Sequence, residues 1–128
     1  MKYLLDTNAY YFVRLSPSML GRAASLILTS GGHDLLISVI TPWELAIKSG
    51  LGKLPVAHML VDFEQRETLA GFTMTPITTV QAVLSGQLPR HHGDPFDRLL
   101  IAQAFDLGIP ILSSDRTFDL YGVPRIWN

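Results

Sequence analysis

Four carboxylates stand at positions where a parallel α/β fold could bring them together. Asp6 follows directly after the apolar run Lys2 to Leu5, and Asp115 comes two residues after a later apolar run. Glu44 and Asp97 fall in the first turns of predicted helices. Ligands of open parallel sheets bind at the carboxyl ends of the strands, so the four side chains can converge on one sheet edge. Two such charges about 4 Å apart repel by roughly 4 kcal/mol at an effective dielectric near 20, which protonation or a cation must relieve.

An acidic cluster of this kind is suited to a hard divalent cation. The chain has no cysteine and no pair of histidines spaced for a metal on one helix, so oxygen atoms are the available ligands. Such ligands suit Mg²⁺ or Mn²⁺. A cation held by carboxylates can orient a phosphodiester, lower the pKa of a bound water and neutralise the leaving oxygen. The pattern therefore indicates phosphate chemistry.

Each carboxylate also has a structural interpretation as part of a helix cap. Asp6 and Asp115 can cap the segments that begin just after them. Residues 41–44, Thr-Pro-Trp-Glu, have the form of a capping box, and residues 94–97, Asp-Pro-Phe-Asp, repeat it with an aspartate as the cap. Spacing alone leaves both a metal site and a set of helix caps open.

Short apolar runs alternate with longer stretches of helical period, which predicts a parallel sheet covered by helices. The predicted strands are Lys2 to Leu5, Leu35 to Val39, Phe72 to Thr75, Ile109 to Ser113 and Arg125 to Trp127. The predicted helices are Asn8 to Leu15, Pro17 to Thr29, Pro42 to Ser49, Val56 to Ala70, Thr79 to Ser85 and Pro95 to Leu107. The last of these helices is apolar nearly all round, so we expect it to be central and buried.

Length and composition narrow the class of protein. A chain of 128 residues is expected to form one domain with a core of its own. Charged residues make up 16% and hydrophobic residues 48%, which excludes a disordered or strongly polyionic chain. The net charge of -1 gives no global attraction to nucleic acid, so any such binding must be local.

The start of the chain and its apolar runs predict a cytoplasmic protein. No apolar stretch reaches the roughly 20 residues that span a bilayer. The carboxylate of Asp6 interrupts the first apolar run too early for a signal peptide. We therefore expect a soluble protein with no membrane association.

Four segments together resemble the PIN-domain ribonucleases, and among them the VapC-type toxins of bacterial type II toxin–antitoxin systems. They are residues 4–8 (LLDTN), 38–48 (SVITPWELAIK), 91–104 (HHGDPFDRLLIAQA) and 113–115 (SSD). Each segment is weak by itself, but their order and spacing extend over almost the whole chain. The resemblance implies a single PIN-like domain over residues 1–128, folded as a three-layer α/β/α sandwich with a central parallel sheet.

The same resemblance implies a site and an activity. Asp6, Asp97 and Asp115 would bind the metal, Glu44 would help to hold a second ion or its water shell, and Asp119 is an additional candidate acid. The implied reaction is hydrolysis of RNA phosphodiester bonds, dependent on Mg²⁺ or Mn²⁺, with no covalent intermediate.

Four further residues are candidates for contact with the substrate: Asn8, Lys48, Arg98 and Ser113. Each has a structural alternative. Asn8 can cap a helix, and Ser113 can form a hydrogen bond at the end of the sheet. Lys48 has the spacing of a helical ion pair with Glu44, and Arg98 can pair with a neighbouring acid.

Basic residues could form a local rim for the phosphates of RNA, since the chain as a whole is not basic. The candidates are Arg14, Lys48, Lys53, Arg90, Arg98 and Arg116. His91 and His92 are not expected to share a metal, because adjacent side chains on an extended chain diverge. A solvated loop is the alternative for residues 90–92.

Partners are predicted from hydropathy and from the resemblance. The mean hydropathy of +0.26 is high for a small domain and fits a buried partner surface. The resemblance implies a homodimer and a cognate antitoxin whose C-terminal segment blocks the active site. The second helix and the long helix Val56 to Ala70 are candidates for the groove that receives it.

Two other functions compete with the nuclease. A phosphoacceptor receiver domain also carries acids at parallel strand ends, but it needs a late lysine, and Lys53 is the last lysine in this chain. A PIN-like domain that binds RNA without cleaving it is the second alternative. Four intact acidic positions argue against that alternative, because clustered carboxylates without a cation only repel one another.

Overall fold

The strands form one parallel sheet, and the computed structural model describes residues 1–128 throughout. They are β1 (Lys2–Leu5), β2 (Asp34–Ser38), β3 (Phe72–Thr75), β4 (Ile111–Leu112) and β5 (Arg125–Ile126). Their order across the sheet is β3-β2-β1-β4-β5, so β1 is the central strand. Each neighbouring pair is parallel, as the alternation of short apolar runs with helical segments predicts.

Six α-helices connect the strands. They are α1 (Thr7–Leu15), α2 (Arg22–Ser30), α3 (Ile40–Gly50), α4 (Phe63–Leu69), α5 (Thr79–Gln87) and α6 (Pro95–Leu107). Three short 3₁₀ segments complete the chain, at Pro17–Met19, Ala57–Met59 and Arg116–Tyr121. None of the helices is long and apolar enough to cross a bilayer.

Two hydrophobic cores lie on opposite faces of the sheet, because successive side chains of a strand point to opposite faces. Leu4 of β1 belongs to the core built with α5 and α6. Tyr3 and Leu5 of the same strand belong to the core built with α1, α3 and α4. The predicted three-layer α/β/α sandwich is confirmed.

Helix α6 is the central helix that its composition predicts. Leu100, Ile101 and Ala102 are fully buried in the core that it shares with α5 and β1. Asp94 is its N-cap and accepts hydrogen bonds from the N–H groups of Phe96 (2.9 Å) and Asp97 (3.2 Å). This cap fixes the position of Asp97 in the first turn.

Two predicted helices are each broken in two, and those boundaries were wrong. The segment from Pro17 to Thr29 is a 3₁₀ turn followed by α2, because the chain is extended at Gly21, where Trp127 packs against it. The segment from Val56 to Ala70 is a 3₁₀ turn followed by α4. Its break is at Asp62, whose backbone is left-handed with φ of 51°.

The start of α3 also differs from the prediction. The helix begins at Ile40, ahead of the predicted Pro42, and the Ile40 N–H donates to the Ser38 hydroxyl at 3.1 Å. The Thr41 hydroxyl lies 3.3 Å from the hydroxyl of Thr7 on α1. The predicted capping box at residues 41–44 is therefore wrong, and Glu44 has no capping role.

Candidate active site

A small polar cavity of about 80 Å³ lies where β1 ends and α3 and α6 begin. It is lined by Asp6, Thr7, Asn8, Glu44, Lys48, Asp94, Asp97 and Asp115. We call it the acidic cavity. All four carboxylates predicted from the sequence line it, and they arrive from four separate parts of the chain.

Asp6 is both the N-cap of α1 and a wall of the acidic cavity. Its Oδ1 accepts a hydrogen bond of 2.7 Å from the Ala9 N–H, and the residue is buried. Burial raises the pKa of Asp6 to about 6, although the Ser113 hydroxyl and the Ala9 N–H act in the opposite direction. The structural and functional interpretations of Asp6 are therefore compatible.

Asp97 has the strongest shift among the carboxylates of the cavity. Its pKa is raised to about 8, first by burial and then by the negative charges of Asp94, Asp6, Glu44 and Asp115. Repulsion of this kind is what a shared cation relieves.

Ser113 interacts with two of the acids of the cavity, Asp6 and Asp115. It is fully buried at the end of β4, and its Oγ accepts a hydrogen bond of 3.0 Å from the Asp115 N–H. Asp115 in turn accepts at Oδ1 from the Thr117 N–H (2.9 Å), so it caps the following 3₁₀ segment. Ser113 does not line the cavity, and this placement favours a supporting role over direct contact with substrate.

Glu44 has one carboxylate oxygen committed and one free. Its Oε2 accepts from the Lys48 ammonium at 2.6 Å, the ion pair expected from their spacing. Its Oε1 is buried and has no hydrogen-bond partner. A buried carboxylate oxygen without a partner is costly, which indicates that a ligand completes this site.

The donor set fits a hard divalent cation. Carboxylate oxygens dominate the wall, and Lys48 supplies the single positive charge among the lining residues. No three of the acidic or histidine side chains are grouped tightly enough to enclose an ion by themselves. Carboxylate oxygens are nevertheless the ligands that hard divalent cations prefer.

A second cleft adjoins the acidic cavity and shares three of its residues. Its volume is about 120 Å³, and Thr7, Asn8 and Lys48 line both spaces. The remaining wall is largely apolar, with Tyr11, Leu45 and Leu54. The predicted substrate residues Asn8 and Lys48 therefore stand between an acidic and an apolar surface.

Arg98 does not reach the acidic cavity, which contradicts its prediction as a substrate-binding residue. It is buried, and its guanidinium donates to the backbone carbonyls of Ser85 (2.8 Å), Leu88 (2.9 Å) and Pro89 (2.9 Å). These bonds attach the end of α5 to α6. Arg98 thus has a structural role and is not available to a phosphate.

Two more predicted residues are committed elsewhere. Arg14 forms an ion pair with the fully buried Glu67, which also accepts from the Tyr10 hydroxyl. Asp119 is half-exposed and pairs with Arg125 at 2.9 Å, away from the acidic cavity. Among the other predicted rim residues, Lys53, Arg90 and Arg116 are exposed and form no ion pair.

Sequence reasoning missed two residues of the wall. Thr7 directly follows Asp6 in the sequence, and that adjacency was the available signal. The sequence predicts Asp94 only as a helix cap, whereas in the structure it both caps α6 and lines the cavity. An aspartate that caps a helix three residues before another acid can therefore also line a site.

Comparison with known proteins gives consistent results. The family model described as the PIN domain matches residues 3–123 of this chain. Ribonuclease VapC22 of Mycobacterium tuberculosis is similar to the chain, with 29% identity over 125 residues, which cover 95% of this chain and 93% of that protein.

Two solved structures show the same fold. One is VapBC2 from Rickettsia felis, determined bound to a DNA fragment from its promoter, with a TM-score of 0.72 and 16% identity over 100% of both chains. The other is a toxin–antitoxin complex from Klebsiella pneumoniae, with a TM-score of 0.62 and 20% identity over 97% of this chain and 95% of that one.

Proposed function

Because this chain belongs to the PIN domain family, we propose that it is a divalent-metal-dependent endoribonuclease that hydrolyses RNA phosphodiester bonds. The observation that carries the proposal is the meeting of Asp6, Glu44, Asp97 and Asp115 around one polar cavity. The name of the mycobacterial relative, a ribonuclease, supports the same activity. Residues 1–128 act as a single PIN-like domain in this proposal.

The cation is held by carboxylates. Asp6, Asp97 and Asp115 would bind it directly or through water, and Glu44 would use its unpartnered Oε1 to hold a second ion or the water shell. Mg²⁺ or Mn²⁺ suits these ligands. When bound, the metal orients the phosphodiester, lowers the pKa of a water and offsets charge on the leaving oxygen.

The chain's other residues position the substrate and the acids. Lys48, which lines both the acidic cavity and the neighbouring cleft, places a positive charge where a phosphate would cross between them. The Asn8 side chain offers a donor and an acceptor at the same boundary. Ser113 supports Asp115 by accepting a hydrogen bond from the Asp115 N–H, and its hydroxyl lowers the pKa of Asp6.

The proposal includes a toxin's partners: a cognate antitoxin, a homodimer and a cytoplasmic setting in which RNA is the substrate. Helix α3 and the residues on either side of it expose four large apolar side chains at intervals of four residues: Val39, Trp43, Ile47 and Leu51. Residues so spaced share one face of a helix, and this exposed stripe suits burial against another protein.

The test of the activity is cleavage of RNA by the purified protein. We expect cleavage with Mg²⁺ or Mn²⁺, none with EDTA, and a loss of orders of magnitude in Asp97→Asn, which keeps the shape but removes a charge. Asp62→Asn is the matched control, because Asp62 is exposed and its side chain caps nothing. Asparagine also tolerates its left-handed backbone.

Two results would contradict the proposal. Wild-type rates in Asp97→Asn would remove the acidic cavity from the reaction. Binding of RNA without cleavage, by protein shown to be free of any antitoxin, would favour the non-catalytic RNA-binding domain instead.

A further inference from the structure

His92 lies between an acid of the site and a buried tyrosine. Its Nδ1 is 2.7 Å from the Tyr121 hydroxyl, and its Nε2 is 3.5 Å from Oδ2 of Asp97. The Nε2 atom is buried and has no hydrogen-bond partner. A contact of 3.5 Å is long for a hydrogen bond, but catalytic hydrogen bonds are often long until the ligands are in place.

The hydrogen bonds around Tyr121 determine which nitrogen of His92 carries the proton. The Tyr121 oxygen accepts from the Arg98 guanidinium (3.4 Å) and from the His92 backbone N–H (3.3 Å). Both of these groups can only donate, so the phenolic proton is free to point at Nδ1 of His92. Nδ1 then accepts, and in the neutral ring the proton resides on Nε2, facing Asp97.

Tyr121 is held firmly enough to define this geometry. It is buried, and the ring of His91 packs edge-on against it with centroids 4.8 Å apart. Tyr121 also ends the 3₁₀ segment that Asp115 caps at its other end. One short segment therefore supplies an acid to the cavity and the anchor for a histidine that faces a second acid.

We propose that His92 is a positioning residue for the nuclease reaction, donating from Nε2 to Asp97 while Tyr121 holds its ring through Nδ1. A hydrogen bond at Oδ2 fixes the rotation of the carboxylate and leaves the other oxygen for the acidic cavity. Groups that orient a metal-binding side chain in this way typically contribute 10- to 100-fold to metal affinity or activity. The inference rests on the proposed function for its catalytic meaning.

Two substitutions separate positioning of Asp97 from a merely structural role. In His92→Asn the amide oxygen takes the place of Nδ1 and accepts from Tyr121, but nothing reaches Asp97. In His92→Gln the longer amide places its N–H₂ near the position of Nε2 and can still donate to Asp97. If His92 positions Asp97, His92→Asn should reduce activity more than His92→Gln does. If His92 acts only structurally through Tyr121, His92→Gln should reduce activity more.

The expected kinetic result is a fall of about 10- to 100-fold in kcat for His92→Asn, with a smaller change in KM and with partial recovery in His92→Gln. Binding of Mn²⁺, titrated on the same variants without RNA, should weaken in the same order. His58→Asn is the matched control, because His58 is exposed and forms no side-chain hydrogen bond. The reverse order of the two His92 variants, or equality of both with the wild type, would overturn the proposal.

Nitrogen NMR of the imidazole rings tests the geometry without RNA or metal. We expect His92 to be protonated at Nε2 and unprotonated at Nδ1, and to lose that preference in Tyr121→Phe. A proton on Nδ1 would overturn the proposal. If the wild-type chain cleaves no RNA, the proposed function fails, while the NMR and Mn²⁺ measurements still decide the role of His92.

Discussion

The surroundings of Asp97 disfavour its negative charge unless a proton or a cation is bound. It lies in the first turn of a buried helix, near three other acids of the same cavity and the capping Asp94. Burial and those charges raise its pKa to about 8, so the charged form of Asp97 is disfavoured in the metal-free protein. A proton on Asp97 and a divalent cation can thus each relieve the same repulsion, and they compete with each other.

The raised pKa of Asp97 makes the folded protein lose stability as the pH rises. The folded chain binds the Asp97 proton more tightly than the unfolded chain, so the stabilising contribution is complete below about pH 4 and is lost as pH rises through about 8. Asp97→Asn removes that loss. In EDTA, we expect the variant to exceed the wild type in unfolding free energy at pH 9, on the order of 2 kcal/mol, and to differ less at pH 5.

Urea unfolding at both pH values measures this difference, with Asp62→Asn as the matched control. Because Asp6 has a raised pKa of about 6, the wild type should lose stability over this range for two reasons of the same sign. A difference between Asp97→Asn and the wild type that is the same at pH 5 and pH 9 would show that Asp97 titrates normally.

Single residues were predictable where their neighbours in sequence carried the signal. Asp6 and Asp115 follow strands, so their convergence at the sheet edge follows from parallel topology. Arg98 was not predictable, because its partners are carbonyls of Ser85, Leu88 and Pro89, which only the packed turn between α5 and α6 brings together. A sequence shows that an arginine is present to donate hydrogen bonds, but it does not show which distant backbone carbonyls accept them.

Among the elements, the interruption at Gly21 has a clear cause in tertiary packing. A Cβ at this position would lie 2.2 Å from the carbonyl oxygen of Trp127 and 2.6 Å from its carbonyl carbon. The same carbonyl accepts a hydrogen bond of 3.0 Å from the N–H of Ala24 in α2. The residue after β5 therefore packs directly on the start of α2.

Gly21→Ala should destabilise the fold, because the rigid backbone of Trp127 must move to admit a methyl group. We expect a loss of about 2 kcal/mol or more in the free energy of unfolding. Gly86→Ala is the matched comparison, since Gly86 lies within α5 and a Cβ there meets nothing within 4 Å. That change should be neutral or stabilising by up to about 1 kcal/mol.

Denaturant unfolding of both variants decides the matter. Equal stabilities for Gly21→Ala and the wild type would mean that the contact with Trp127 relaxes without cost. The comparison with Gly86→Ala removes the general effect of replacing glycine by alanine.

Hydrophobic period predicted the strands and most helices, but it could not predict where a helix is interrupted. The helical period of the segment from Val56 to Ala70 continues through Asp62, but the backbone of Asp62 is left-handed and interrupts the helix. Likewise, residues 41–44 satisfy a capping pattern, while α3 begins earlier because Ser38 accepts the Ile40 N–H. In each case the structure adopts a local backbone conformation that differs from the one the sequence pattern predicts.

At the scale of the whole molecule, charge is balanced in number but not in space. The net charge is -1, whereas five of the carboxylates, those of Asp6, Glu44, Asp94, Asp97 and Asp115, line one cavity. The fold therefore concentrates negative charge at the point where a polyanion would have to approach. A bound cation is the means by which the two can be reconciled.

This arrangement predicts a pH-dependent response to metal. Millimolar Mn²⁺ should raise the melting temperature of the wild type by several degrees at pH 8, because a ligand bound to the native state stabilises it. The increase should be smaller at pH 6, where Asp97 must release its proton before the cation binds. Asp97→Asn should reduce the increase at pH 8, and Asp62→Asn should leave it unchanged.

Thermal melts with and without EDTA provide the measurement. The absence of a shift at pH 8 would mean that the four acids do not bind a cation together. Equal shifts in the wild type and in Asp97→Asn would place the ion outside the acidic cavity.

The order of the strands in space differs from their order in the chain, and this has a consequence during synthesis. The central strand β1 is synthesised before β2 and β3, whereas its partner β4 and the acid Asp115 follow them in the chain. A nascent chain that has exposed only β1 to β3 from the ribosome lacks half of the central pairing and one wall of the cavity. The acids of the cavity can therefore meet only after Asp115 has been synthesised, long after Asp6.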